Sequence, residues 1–549
     1  MGPAAAAGAR LTCGAHMTSL LMVWYAFAAI VYGRPANGSP DKSAEDCSFD
    51  GFMGPKADHQ GEVSDKMLYI NGSFPSWLDG DYYVAGPHFL QVGSTKVDHY
   101  LDGLGKLHRF SFRSNPVSVN WNAKAIQSQL YQTSKQLGHL GACVQFKETV
   151  PSRNFSAFSN LFAANDNTYV VQLPLGDKFL GLTDDAFNSL YDDHFQFRLI
   201  KWQDKLAPSL HQGATVAHAI PDDSGNVIGL MSITPEMPFQ KPYMLFYKIE
   251  PTDPSTRKEL AHVPVTNPAY QHSFGLSKRH GIVCEHSWEM DGAALLFKGK
   301  MAMAASKIDP KAPTTLHLVD LITGNVKVFT AEPFLCIHFS NVYENDTAVV
   351  FDMPTWESHQ HADVEVCNPY SAFDFQKWEG RNHFSEQCVN RLVRHVLHTA
   401  GPLSGKVTSE VLDGGWFEYP IFNPSYRGKR NCFLYLTEFY HNSSTFGAMA
   451  VVKFDTCQKR RAAVWHTRAQ YPSEPHFVGN PMGSAEDDGV ILTPIMDGAH
   501  SQRHAHFAVL SAKDLSLLAT MPLGETMPHT VHGWFKFRDD RSSDAVVIV

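Results

Sequence analysis

"LFYKIEPTDPSTRKELAHVPV", residues 245 to 265, reads as two runs of alternating apolar and polar residues around a short polar turn. Alternation with period two marks a half-buried strand, and two such runs across a turn make a β-hairpin. The same grammar returns in "LHLVDLITGNVKVF" (316 to 329), "VVKFDTCQKRRAAVWH" (451 to 466) and "FAVLSAKDLSLLATM" (507 to 521). Helical periodicity is scarce in between. Hairpins repeated along a long chain without strong helices indicate an all-β fold: a sandwich, a barrel or a propeller. Their uneven spacing predicts long insertions that cap one face. No linker or low-complexity stretch interrupts the pattern, so the chain reads as a leader followed by one domain.

The 549 residues can bury a large core, and 44% hydrophobic with 18% charged residues is ordinary for a globular protein. Aromatic residues make up 12%, with 36 Phe, enough to line apolar cavities as well as fill a core. A net charge of -9 leaves nucleic-acid binding without an electrostatic basis.

The stretch "MTSLLMVWYAFAAIVYG", residues 17 to 33, holds an apolar run of about sixteen residues behind Arg10 and His16. A membrane span needs about 20. Val31 and Gly33 place small residues at cleavage offsets, which favours a secretory signal peptide over an uncleaved anchor. The expected organisation is a signal peptide at 1–33, an extension at 34–70 and the main domain at 71–549, with a secreted product. Five glycosylation sequons, at Asn37, Asn71, Asn154, Asn345 and Asn442, agree with that route. Of nine cysteines, Cys13 falls in the leader and eight remain. Their pairing is not readable from sequence. Cys367 and Cys388 flank an aromatic-rich insertion and are the best candidates for a bridge, whereas Cys336 in "FLCIHF" reads as a buried small apolar residue.

Four histidines stand in similar settings: His218 in "GATVAHAIPDDSGNV", His272 in "NPAYQHSFGLS", His338 in "FLCIHFSNVYEN" and His532 in "MPHTVHGWFKF". Each lies in or beside an apolar segment. Their separations are too large for a local ligand motif, and isolated histidines usually sit satisfied in cores or turns. A propeller, however, brings the inner strands of its blades to one axis, where residues distant in sequence converge.

Around these histidines the chain resembles the carotenoid cleavage oxygenase family. "NGSFPSWLDGDYY", "VDHYLDGLGKLHRFSF", "HSFGLS", "HFSNVYEN", "FEYPIFN", "SEPHFV" with "EDDGVIL", and "HGWF" follow in the family's order, from Asn71 to Phe535. The resemblance implies a seven-bladed β-propeller with a helical and loop cap. It also implies one Fe(II) per chain, held by His218, His272, His338 and His532. Glu418 and Glu474 match glutamates that accept hydrogen bonds from ligand histidines and so fix the rings. A third such glutamate is expected in "NTYVVQLPLGDK", where Gln172 or Leu173 stands instead, leaving His272 or His338 differently supported. Three further departures are "AGPH" (85 to 88), Leu101 in place of the usual Phe before Asp102, and "TVPSRNFSAF" (149 to 158). The last lies where the eye enzyme faces the membrane, and a glycan on Asn154 would oppose insertion there.

Two functions follow from these residues. One is a dioxygenase that uses O₂ and iron to split a conjugated double bond of a carotenoid or apocarotenoid. The other is a secreted carotenoid binder with little or no turnover, favoured by the missing carboxylate and the secretory address. Ester isomerohydrolysis fits least, because the membrane-docking features are altered. "HSQRHAHF" (500 to 507) and "HQH" (359 to 361) read as exposed segments, and "AEDDGVIL" as ordinary turn chemistry.

Overall fold

The outer hairpins alternate because only one face of each is covered. Strand Arg460–His466 switches between exposed and half-buried at every residue, whereas Gly80–Phe89 is buried along nearly its whole length. The computed structural model describes residues 61–141, 146–147, 149–151, 165–185, 187–204, 206, 213–233, 241–266, 269–290, 306–356, 390–441, 448–498 and 505–538. Asn37, Asn154, Asn442, Cys367, Cys388 and the leader lie outside them.

Seven antiparallel sheets of four to six strands follow one another in sequence order and are the blades of a propeller; two two-stranded ribbons, Trp288–Met290 with Ser306–Ile308 and Gln91–Val92 with Thr95–Lys96, stand apart from them. The four hairpins read from the sequence are the outer strand pairs of the third, fourth, sixth and seventh blades. In the third, Tyr243–Glu250 pairs with Asp253–Pro264. In the sixth, Asp455 Oδ1 accepts from the backbone of Cys457 and Gln458, which closes the turn.

Ring closure is double. The C-terminal strand Gly533–Phe537 adds to Gly80–Phe89 of the first blade, Val84 opposite Gly533. Near the other end, Val63–Met67 pairs with Val117–Ala125 of the first blade and the following strand Asn71–Gly72 adds to Leu517–Pro522 of the seventh. Each end covers a strand edge that would otherwise present unpaired backbone groups. The apolar core runs between neighbouring blades. Leu173, Leu180, Met231 and Leu245 join the second to the third, and Ile282, Leu316, Phe351 and Met353 the fourth to the fifth.

Among the described residues there is one α-helix, Gln129–Leu137, capped by Ser128 Oγ on Tyr131 N. No helix among them is long and apolar enough to cross a membrane. Disulfides join Cys284 to Cys336 and Cys432 to Cys457. The expectation for Cys336 is therefore corrected. It is buried, but as half of a bridge, because the fourth and fifth blades bring Cys284 to it from a sequence separation of 52.

Candidate metal centre

Innermost strands are short and broken where the functional side chains emerge. His218 lies between Gly213–Thr215 and Ile220–Pro221, and His338 between Leu335–Cys336 and Val342–Glu344. His532 directly precedes the inner strand Gly533–Phe537, and His272 lies three residues before Gly275–Leu276. Each break turns an imidazole toward the axis. The four rings offer one nitrogen each, and these atoms all lie within 4.8 Å of one another. His272 Nε2 is 3.2 Å from Nε2 of both His218 and His338.

Three of the rings are fixed from behind by carboxylates. His338 Nδ1 donates to Glu418 Oε2 at 2.6 Å, and His532 Nδ1 to Glu474 Oε1 at 2.7 Å. Glu418 Oε1 also accepts from Trp356 Nε1 at 2.9 Å, and Glu474 Oε2 from Gly533 N at 3.2 Å. Position 533 has no room for a side chain: a Cβ there would lie 2.6 Å from Cζ of the Tyr82 ring.

The third carboxylate is Asp184. Its Oδ2 accepts from His272 Nδ1 at 2.5 Å and from Tyr270 Oη at 2.7 Å. Its Oδ1 accepts from Ala217 N at 2.8 Å, so one aspartate holds the His272 ring and the backbone beside His218. This corrects the expectation for Gln172 and Leu173. Gln172 is buried, but its Nε2 donates to Thr168 O and touches no histidine of the cluster, and Leu173 packs in the apolar cluster between the second and third blades. Both lie in the inner strand Val171–Leu175, whereas Asp184 follows the next strand, Lys178–Leu182, and reaches the axis from there. The signal in the sequence was "LGLTDD", an acid pair straight after an apolar run. Among the described residues no carboxylate touches the His218 ring, so His218, not His272 or His338, is the differently supported one.

The chemistry of this donor set follows from tautomers. With Nδ1–H committed to a carboxylate, a neutral imidazole presents a bare Nε2 lone pair. Lone pairs of His272 and His338 then face each other at 3.2 Å, an arrangement that repels unless a cation lies between them. Burial, reinforced by the neighbouring rings, holds His218 and His338 well below the usual histidine range, which keeps them neutral. The residues fit a divalent metal that accepts imidazole nitrogen. Burial also pushes Glu418 up to about 8, against the opposing hydrogen bonds from Trp356 and the Tyr419 backbone. A dication on the far side of the ring would favour its charged form.

The cluster opens on a cavity walled by Leu130, Phe146, Trp356, Trp416, Phe439 and Val531, with Asp184, Glu418 and three of the histidines on its floor. Tyr419, which sequence reading passed over, also lines it. Its φ of 56° is in the left-handed region, an uncommon and costly conformation for a non-glycine residue. That backbone sets the Tyr419 ring 5.6 Å from His338 and 5.5 Å from His532, while the preceding residue reaches back to His338.

A family model described as retinal pigment epithelial membrane protein matches residues 56–536. The chain is 25% identical over 511 residues to the β,β-carotene 15,15'-dioxygenase of Mus musculus, covering 85% of this chain and 88% of that one. It is 24% identical over 502 residues to the carotenoid isomerooxygenase of Galleria mellonella, covering 85% and 92%. Among solved structures, cobalt-substituted Synechocystis apocarotenoid oxygenase superposes with a TM-score of 0.75 at 20% identity, over 89% of this chain and 99% of that one.

Proposed function

The chain belongs to the retinal pigment epithelial membrane protein family, and on that premise we propose that it is an Fe(II)-dependent dioxygenase acting on a carotenoid or apocarotenoid. The observation that carries this reading is the four-histidine cluster, three of its rings backed by carboxylates, at the floor of an aromatic cavity. The names of the relatives, carotene dioxygenase and carotenoid isomerooxygenase, support the substrate class.

Iron, when bound, would supply activation of O₂. The chain's own residues do the rest. His218, His272, His338 and His532 would hold the ion as neutral ligands, which leaves its charge uncompensated and coordination positions open. Asp184, Glu418 and Glu474 fix three ring orientations. The walls of Phe146, Trp356, Trp416 and Phe439 would align a flat conjugated chain and keep bulk water from the reacting bond. In the net reaction one C=C bond is lost and two C=O bonds form, taking both atoms of O₂. The carrier reading drew on a missing carboxylate. Asp184 occupies that role, so of the two observations behind the carrier reading only the secretory address remains.

We extend the proposal to a secreted glycoprotein. The apolar leader supports it, as do two disulfides, which persist in oxidising compartments. Asn71 and Asn345 are exposed sequon asparagines.

The test is aerobic incubation of iron-loaded protein with β-carotene and with shorter apocarotenoids, followed by product analysis. Aldehyde or ketone products are expected, and His338→Ala should abolish them while the cavity still takes up the polyene. Tight polyene binding without any carbonyl product from iron-replete protein would transfer the function to a carrier.

A further inference from the structure

Two of the clustered histidines sit on segments that are tied to each other without any ion. Cys336 ends the short strand Leu335–Cys336, two residues before His338. Cys284 lies in His280–Glu285, the strand that pairs with the inner strand following His272, Gly275 opposite Ile282. Gln271, next to His272, donates from Nε2 to Cys284 O at 2.6 Å. The Cys284–Cys336 disulfide, with Cα atoms 6.5 Å apart, thus joins the backbone behind His272 to the backbone carrying His338.

Two more ties cross the same seam between the fourth and fifth blades. Ser273 Oγ donates to Ile337 O at 2.5 Å and accepts from Phe339 N at 3.1 Å, so the residue after His272 grips both neighbours of His338. His286 donates from Nε2 to Tyr270 O at 2.5 Å and accepts at Nδ1 from Cys336 N at 3.3 Å. All of these groups are buried except Tyr270 and Phe339, which are half-buried. His272 Nε2 and His338 Nε2 stand 3.2 Å apart across this seam. The ties fix the backbone on both sides of that gap.

We infer that the Cys284–Cys336 disulfide, with the Ser273 clamp, is a positioning device that holds His272 and His338 at chelating distance before metal arrives. The inference rests on the metal reading proposed above. It is specific to this bridge. Cys432–Cys457 closes on the turn between Ala450–Asp455 and Arg460–His466, elements that carry no histidine of the cluster.

The experiment is anaerobic Co(II) titration of the full-length protein, read by visible absorption. It compares wild type with Cys284→Ala/Cys336→Ala and with Cys432→Ala/Cys457→Ala. Both double variants should melt earlier than wild type, since each loses a cross-link. Only the first should lose Co(II) affinity, by about 10–100-fold, the usual cost of removing support behind metal ligands. Equal affinity in all three proteins, or equal loss in both variants, overturns the inference. If the first variant does not fold, Ser273→Ala tests the same seam through two hydrogen bonds, and unchanged affinity there overturns it too. A wild-type protein that takes up no Co(II) refutes the metal reading, and this inference with it.

Discussion

Replacing Asp184 by asparagine changes one atom and should unsettle two of the clustered histidines. The carboxylate accepts three hydrogen bonds, from His272 Nδ1, Tyr270 Oη and Ala217 N. An amide has one accepting oxygen. If that oxygen serves Ala217, the NH₂ faces His272 Nδ1, and the ring must move its proton to Nε2, the atom that faces the other histidines. If it serves His272, the NH₂ confronts the Ala217 N–H beside His218. Either way one hydrogen bond to a charged group is lost, about 1.5–3 kcal/mol. In affinity that corresponds to about ten-fold or somewhat more than a hundred-fold, the range seen when groups behind metal ligands are removed. Competitive Co(II) titration of purified Asp184→Asn measures it directly, with melting curves to show that the variant is folded. Gln172→Leu is the matched control and should bind as wild type does, because Gln172 reaches only Thr168 O. Wild-type affinity in Asp184→Asn, or a comparable loss in Gln172→Leu, would refute the assignment.

Glu418→Gln and Glu474→Gln should each lower iron content and affinity by about 10–100-fold; full iron occupancy in both would show that these glutamates do not support the ligands. His395 gives a pH signature of stability. It is 1% exposed, stacks on Phe334 and Phe351, and burial lowers its pKa to about 3 from 6.5. A histidine held neutral in the fold contributes stability fully above pH 6.5, and that contribution is lost progressively as pH falls toward 3. At pH 5 the loss is about 2 kcal/mol. Urea midpoints should therefore drop between pH 7.5 and 5, and less so in a folded His395→Gln variant; an equal drop in both would clear His395 of the effect. Expression in animal cells should release a product that loses mass on glycosidase treatment, whereas retention in the cell without a mass shift would argue against secretion.

The sequence by itself determined the strands, the outer hairpins and the identity of the four histidines. Alternation in a run such as Arg460–His466 records a surface with one wet and one dry face, and that record is local. The motif order around His218, His272, His338 and His532 was enough to name them together. Glu418 and Glu474 were legible for the same reason, each sitting inside a short motif. Tertiary structure alone decided what stands behind His272. Asp184 is 88 residues from it and belongs to another blade, so no spacing rule connects the two. The inner strands beside His218, His272 and His338 are only two or three residues long, too short to show the period that would have aligned them. Cys336 failed for a related reason. Apolar neighbours predict burial equally well for a free thiol and for half of a bridge, and only the packing of the fourth blade against the fifth brings Cys284 within bonding distance. Burial is written in composition along the chain; partnership across the axis depends on how blades close into a ring.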